Sequence, residues 1–237
     1  MDQPLKGPAL KAIRQEVEDI NAAYAAEGVR FALCMDEPQA FGSFKRSYGF
    51  FKNVRNYVVA IVDRQSPHGE EVAGYAGERF CMKALMEGLG TCFVGATYDT
   101  SKVQVNLSAS EKIAFLITVG EAAPSEGFIA SIVKKMAHRK SLAPEGFYAS
   151  DIAFFNLQEA RARLPYLQSG LEAMACAPSA LNKQLVRVWQ GEDSYLHAGL
   201  AHTNEYADVD LGIAKFNFQT VINGKWEWGD GGRFLTY

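Results

Sequence analysis

Residues 77–95 read GERFCMKALMEGLGTCFVG, and the prediction of the fold starts from this stretch. Its first part predicts a helix from about Tyr75, which Gly88 and Gly90 end by adopting left-handed conformations. Residues 91–96 follow as a short strand. A helix that ends in Gly-Leu-Gly-Thr leaves backbone N–H groups free beside glycines, where a flat ligand can approach closely. An ordinary helix end leading into a strand explains the same residues, and the stretch alone does not decide between the two.

Residues 175–184 read ACAPSALNKQ and form a second informative stretch. Ser179 follows Pro178 and suits the first position of a short turn or helix, and Asn182 stands three positions later. Such a turn presents N–H donors and an amide side chain to an anionic or carbonyl-rich ligand. An ordinary helix start is again the alternative.

The rest of the chain predicts helices and strands without a linker long enough to separate independent domains. The continuous apolar residues of 56–63 are typical of a buried strand, and Pro165 interrupts or begins a helix within 157–174. The end of the chain, 225–237, is a glycine-broken tail that contains a surface turn at Gly229-Asp230-Gly231-Gly232. Further helices are predicted at 9–27 and 206–220, further strands at 30–35, 112–120 and 185–190, and a lobe boundary at about 142–150.

Length and composition limit the class of protein. The 237 residues are 48% hydrophobic and 22% charged, which is typical of a globular chain and excludes wholesale disorder. A formal net charge of −3 argues against a nucleic-acid partner, and no apolar run reaches the ~20 residues of a membrane helix. The start of the sequence lacks a signal-peptide pattern. We therefore expect a cytoplasmic protein with buried, reduced thiols at its four scattered cysteines, Cys34, Cys81, Cys92 and Cys176.

Common motifs for phosphate, metal and nucleophile sites are absent. The sequence has no GxGxxG, GxxxxGK[ST], HExxH or GxSxG pattern. His197 and His202 are five residues apart with no cysteine nearby, which does not suit a metal site. We predict no metal and no catalytic acid or nucleophile.

Together, the two stretches resemble the nitroreductase (NADH oxidase/flavin reductase) family of FMN proteins. Residues 177–184 match its Ala-Pro-Ser-x-x-Asn-x-Gln stretch, and residues 88–93 match its Gly-Leu-Gly-Thr-x-Trp/Phe stretch. In common members the Pro-Ser-x-x-Asn motif comes first, whereas here it follows the Gly-Leu-Gly motif by about ninety residues. That order resembles a branch of nitroreductases in which two family-fold repeats lie in tandem on one chain.

The resemblance implies an α+β fold with antiparallel central sheets surrounded by helices. Residues 1–237 would form a single domain whose lobes, 1–145 and 146–237, pack as an intramolecular pseudo-dimer. Family members are homodimers with FMN at the subunit interface, so the resemblance implies one complete site within the chain. The first half has no counterpart of residues 178–182, which implies one FMN per chain, in a monomer or a weak homodimer.

The resemblance also assigns cofactor-binding residues by position. The segment along the isoalloxazine ring, with a backbone N–H near N5, corresponds to Gly88, Leu89, Gly90 and Thr91. The segment at the pyrimidine edge of the ring corresponds to Pro178, Ser179, Asn182 and Gln184. The basic residues that reach the phosphate correspond to Arg139 and Lys140, for which a solvated charged turn is the alternative. Aromatic residues that either line the acceptor site or pack in the core are Tyr48, Phe50 and Phe51.

The N-terminal segment departs from the family pattern. Members usually begin with an Arg-Arg-Ser-x-Arg-like segment that grips the FMN phosphate, whereas this sequence opens Met1-Asp2-Gln3-Pro4-Leu5. Charge-assisted pairs are the strong phosphate contacts, and the basic residues that would compensate are Lys45, Arg46 or Lys52. The leading hypothesis is an FMN-dependent oxidoreductase that passes a hydride from NAD(P)H to an electron-poor acceptor, such as a nitroaromatic or a quinone. The alternative is a flavin-binding or non-catalytic relative that has lost this phosphate clamp.

Overall fold

The computed structural model describes residues 5–42, 54–121 and 141–237. These residues form two compact units. The first unit consists of residues 5–42, 54–69 and 79–121, and the second of residues 70–78 and 141–237. The second unit therefore includes a short piece from the middle of the chain.

The first unit is built on an antiparallel sheet of four strands. Their order is β1-β2-β4-β3, and Val59 of β2 lies opposite Ala32 of β1 and Leu116 of β4. Residues 57–62 of β2 are all buried, as expected of a Val/Ile run at the centre of a covered sheet. The elements are α1 (Gly7–Tyr24), β1 (Val29–Cys34), β2 (Tyr57–Asp63), the C-terminal part of α2 (Gly69–Met86), β3 (Gly90–Val94) and β4 (Glu111–Gly120).

Helix α1 packs on this unit through one apolar face. Ile13, Val17 and Ile20 recur at three- and four-residue spacing and are buried. Glu16 on the same helix pairs with Arg79 of α2, with 2.7 Å between Oε1 and Nε. The predicted helix over 9–27 is confirmed, with a single 3₁₀ turn at Ala25–Glu27 as its end.

The second unit contains another antiparallel sheet of four strands, in the order β5-β6-β8-β7. Its core is aromatic: Phe218, Trp226 and Phe234 lie with ring centroids 4.8 to 5.2 Å apart. The elements are α3 (Leu157–Arg163), α4 (Leu167–Cys176), β5 (Val186–Gln190), β6 (Leu196–Leu200), α5 (Ala207–Gln219), β7 (Gly224–Trp226) and β8 (Gly232–Thr236), joined by residues 70–78 of α2.

The two units share one order of elements. The first runs α1-β1-β2-α2-β3-β4, and the second, after α3, runs α4-β5-β6-α5-β7-β8. The strand order across the sheet is also the same, since the fourth strand lies between the second and the third in both. The predicted α+β class, with antiparallel sheets and surrounding helices, is confirmed.

Residues 70–78 of α2 cross α5 at two glycines within the second unit. A Cβ on Gly74 would overlap the backbone carbonyl of Val209, and a Cβ on Gly212 would overlap the backbone carbonyl of Glu71. The contacts are reciprocal, because each glycine meets the residue three positions before the other. Both glycines begin a Gly-x-Ala-x-x-x-Phe pattern, and its alanine and phenylalanine are buried in each case, as Ala76, Phe80, Ala214 and Phe218.

A buried ion pair joins the same part of α2 to the C-terminal hairpin. Lys215 Nζ donates to Glu71 Oε1 at 2.5 Å and to the carbonyl oxygens of Glu227 and Gly229 at 3.0 and 2.9 Å. The N–H of Gly229 donates to the other carboxylate oxygen of Glu71 at 2.6 Å. All three ammonium hydrogens of Lys215 therefore have acceptors. Desolvation lowers the pKa of Lys215, and the Glu71 carboxylate opposes that shift.

The structure corrects several element predictions. Helix α2 begins at Gly69, six residues before the predicted start, because packing against α5 supports a stretch that the two glycines, Gly69 and Gly74, would weaken on their own. Strand β6 had no prediction, and the predicted tail 225–237 contains the hairpin of β7 and β8. These strands are short and rich in glycine, so pairing stabilises them where propensity does not. Pro165 does interrupt the predicted helix over 157–174, between α3 and α4.

The cysteine prediction is correct for one thiol and wrong for two. Cys34 is buried, whereas Cys92 and Cys176 are exposed, and none of the four forms a disulfide. Cys92 lies on β3 at the edge of its sheet, and Cys176 is the last residue of α4, so neither side chain enters a core.

Candidate functional site

The first candidate segment, residues 88–91, joins α2 to β3. Gly88 has a φ of 74°, and its N–H donates to the Leu85 carbonyl at 2.9 Å. The N–H of Leu89 donates to the Ala84 carbonyl at 2.9 Å, and the two bonds together form a Schellman motif. The expectation that the helix end leaves these N–H groups free is therefore wrong for Gly88 and Leu89. Among the described residues, no other atom lies within 4 Å of a Cβ built on Gly88, so they leave open space beside this glycine.

Gly90 also differs from the prediction. It is the first residue of β3, lies opposite Gly120 of β4 and has no positive φ. Ladder pairing sets its conformation, so of the two glycines only Gly88 is left-handed. Because β3 is an edge strand of the described sheet, alternate N–H groups along Gly90–Val94 face away from β4. The N–H groups that point away from β4 therefore lie along the outer edge of β3, in which Thr91 is the second residue.

The second candidate segment, residues 178–184, is a strained turn. Ala180–Asn182 forms a single 3₁₀ turn, as predicted for this stretch. Leu181, Asn182 and Gln184 have φ of 52°, 49° and 48°, although none of them is glycine. A residue held in this region costs on the order of 1–3 kcal/mol, and such strain persists only where surrounding contacts impose it.

Two hydrogen bonds within the turn and two to residues 141 and 142 hold it in place. Ser179 Oγ accepts the N–H of Gln184 at 3.1 Å, and the Ser179 carbonyl accepts the N–H of Asn182 at 3.0 Å. Asn182 Nδ2 donates to Ser141 Oγ at 3.3 Å, and Gln184 Oε1 accepts the N–H of Leu142 at 2.8 Å. Gln184 is only 5% exposed, so its amide serves to anchor the backbone.

An acidic residue outside the motif completes the network. The N–H of Ala180 donates to both carboxylate oxygens of Asp210, at 2.9 and 3.1 Å. Asp210 lies in the first turn of α5 and is 3% exposed. Burial raises its pKa to about 6, while the Ala180 N–H and the charge of Lys183 act in the opposite direction. Sequence reasoning missed Asp210 because an acid in the first turn of a helix is common for helix-dipole reasons alone.

The structure places the predicted site residues in two groups. Pro178, Ser179, Asn182 and Gln184 share one turn of the second unit, and Gly88, Leu89, Gly90 and Thr91 are consecutive in the first unit. Their roles in cofactor binding stay predictions. The other predicted residues lie outside the described part of the chain: Arg139, Lys140, Tyr48, Phe50, Phe51, Lys45, Arg46 and Lys52.

Two features are absent from residues 5–42, 54–121 and 141–237. No helix in these ranges combines the length and apolar character needed to cross a membrane. No group of three or more His, Cys, Asp or Glu side chains in them is arranged to hold a metal ion.

Comparison with known proteins decides the family. The family model described as "Putative TM nitroreductase" matches residues 1–222, which is nearly the whole chain. The chain belongs to this nitroreductase family. The resemblance that residues 88–93 and 177–184 indicated is thereby confirmed.

The similar solved structures are distant in sequence. A "putative nitroreductase" from Thermotoga maritima is 15% identical with a TM-score of 0.47, over 76% of this chain and 69% of that one. An "FMN-dependent Nitroreductase" from Clostridium difficile is 17% identical with a TM-score of 0.42, over 60% and 92%. A "Putative NADH Oxidase" from Clostridium acetobutylicum is 18% identical with a TM-score of 0.39, over 53% and 82%. Among proteins of curated function, none matches this chain.

Family membership confirms the predicted enzyme class. Nitroreductases are oxidoreductases, and FMN is the cofactor of the family, as the resemblance implied.

Proposed function

We propose that this chain binds FMN and passes a hydride from NAD(P)H to an electron-poor small molecule, such as a nitroaromatic or a quinone. When bound, FMN supplies the redox chemistry, for which side chains have no equivalent. The observation that carries the proposal is the strained turn of residues 178–184. It holds the family's Pro-Ser-x-x-Asn motif in a backbone conformation that its own residues disfavour. Strain of this kind concentrates where a ligand is bound.

The described residues of both segments fit a flavin. Gly88 leaves open space at the end of α2, where a flat ring can approach the backbone. Ser179 Oγ accepts a hydrogen bond from within the turn and, among the described residues, donates none, so its hydrogen can donate to a carbonyl oxygen. Leu181 is 71% exposed, and an aromatic ring that covered it would remove apolar surface from water.

In this proposal the chain binds and orients the cofactor. Of the neighbouring residues Gly90 and Thr91, one offers its backbone N–H group from the edge of β3, and Ser179 and Asn182 offer side-chain hydrogen bonds. Leu89 is buried and fixes its segment in the core of the first unit. Because the surrounding contacts already impose these conformations, little ordering is left to be done on binding.

We propose further that the two units are repeats, so that one chain takes the place of a homodimer. The shared order of elements and strands supports this, as do the Gly-x-Ala-x-x-x-Phe patterns at Gly74 and Gly212. By element order, the counterpart of the 178–184 turn is the connection of residues 25–28 between α1 and β1. That connection reads Ala-Ala-Glu-Gly and lacks the Pro-Ser-x-x-Asn motif. One FMN per chain follows.

An absorption spectrum of the purified chain, with identification of the released cofactor, tests the proposal. We expect flavin bands, about one FMN released per chain, and bleaching on anaerobic addition of NADH or NADPH. Bound FMN that neither nicotinamide reduces would contradict the oxidoreductase and favour a non-catalytic flavin protein. A colourless protein that takes up no added FMN would contradict the flavin site itself, and two FMN per chain would contradict the asymmetry between the repeats.

A further inference from the structure

We propose that Asp210 is a positioning residue that holds the 178–184 turn in its FMN-binding conformation and thereby sets the affinity for the cofactor. The identity of the ligand rests on the proposed function. The contact by which Asp210 holds the turn does not depend on the proposed function, since it lies within the second unit.

The geometry places Asp210 where it controls the strained residues. The Ala180 N–H is shared between its two carboxylate oxygens, and Ala180 directly precedes Leu181 and Asn182, both of positive φ. Fixing the direction of that N–H fixes the Ser179–Ala180 peptide plane, one peptide before the one that enters the left-handed pair. Without the hydrogen bond to Asp210, we expect the turn to relax out of its strained conformation.

The element that carries Asp210 makes it a rigid anchor. Val209 and Gly212 on either side of it form the close backbone crossing between α5 and residues 70–78 of α2. The other bonds to the turn described above come from within it or from residues 141 and 142. Asp210 supplies a charge-assisted bond, which is roughly twice as strong as a neutral one.

The same contact predicts a pH dependence. Among the described residues, Lys183 is the charged group whose field acts on Asp210, and it favours the carboxylate. Since burial brings the pKa to about 6, the carboxylate gains a proton as the pH falls through that value and its bond to Ala180 weakens. We expect the FMN dissociation constant to rise over the same interval. The FMN phosphate also titrates near pH 6, so a variant must be compared with the unmodified chain at each pH.

The experiment uses D210N with D208N as the matched control. Asp208 is an exposed acid in the same helical turn, so its replacement changes the helix charge without touching Ala180. FMN dissociation constants are measured by fluorescence titration between pH 5 and 8. Hydrogen exchange of peptides over 178–186 is followed in the full chain with and without FMN.

We expect D210N to raise the dissociation constant about tenfold at pH 7.5, the size of one charge-assisted hydrogen bond. The ratio to the unmodified chain should approach one at pH 5, and exchange over 178–186 should accelerate without FMN. D208N should match the unmodified chain. Unchanged exchange in D210N, or faster exchange with unchanged FMN affinity at pH 7.5, would overturn the proposal. If the unmodified chain bound no FMN, the proposed function would fail, and faster exchange in D210N would show that failure to be separate from the hold on the turn.

Discussion

Asn182 combines a hydrogen-bonding amide with a left-handed backbone, and the two contributions need different substitutions. Its φ is 49°, a region that asparagine tolerates better than alanine does. Asn182→Ala would therefore lose the amide and add strain together. Asn182→Gly removes the amide but accepts the conformation, so it isolates the amide contribution.

We expect Asn182→Gly to weaken FMN binding by about 1–2 kcal/mol, typical of a lost hydrogen bond to a buried polar partner. Asn182→Ala should weaken binding by at least as much and should also lower the free energy of unfolding. FMN titration and urea denaturation measure the two effects. Ser141→Ala is the control, because it removes the hydrogen-bond acceptor of the Asn182 amide within the protein and leaves the amide itself in place. An unchanged FMN affinity in Asn182→Gly would remove Asn182 from the site.

At the scale of elements, the crossing of α2 and α5 depends on the absence of two side chains. On an exposed helix, replacing glycine with alanine stabilises by about 1 kcal/mol. At this crossing the added Cβ of Gly74→Ala or Gly212→Ala would overlap a backbone carbonyl. The substitution should therefore destabilise the protein here. We expect each substitution to lower the free energy of unfolding by about 3 kcal/mol, since backbone has little room to move away.

The reciprocal geometry also predicts how the effects of the two substitutions on stability combine. Separation of the two helices relieves both overlaps at once, so the double variant should lose less stability than the sum of the single ones. Urea denaturation of the four proteins in this cycle measures the coupling. Stabilisation by either single substitution would show that the helices do not cross at these glycines.

At the scale of the whole molecule, the second unit cannot be cut from the chain at one point. Its buried Lys215 takes Glu71 as its partner, across 144 residues of sequence. A fragment of residues 141–237 would leave this buried ammonium without its carboxylate, which costs about 3–5 kcal/mol, comparable to a small unit's stability. It would also lose the helix segment that covers Gly212.

We therefore expect the 141–237 fragment to be unfolded by circular dichroism and near-ultraviolet fluorescence. Mixing it with a fragment of residues 1–140 should restore the signal, because that fragment contains residues 70–78. A 1–140 fragment with Glu71→Gln is the matched control and should complement less well. Cooperative unfolding of 141–237 on its own would contradict this dependence.

Features that depend on local interactions along the chain were predicted correctly, and features that depend on contacts between distant residues were missed. Gly88 was correctly placed as a left-handed helix end, because the preference of glycine for that conformation is local. Gly90 was misplaced, since pairing with Gly120 overrides the same preference. A valine at position 90 would therefore not be strained by a positive φ. Strand β6 was missed because its stability comes from its neighbours in the sheet.

The nitroreductase family, the α+β class and the positions of both motif segments could be predicted from the amino-acid sequence. These depend on residue identity and spacing over about ten residues, which can be read directly. The folded chain was needed to show which N–H groups stay available, which residue holds the strained turn and which part of α2 completes the second unit. Asp210 lies 30 residues from Ala180, and Glu71 lies 144 residues from Lys215. Contacts at such separations leave no periodicity in the sequence, because the partners meet only when the chain has folded.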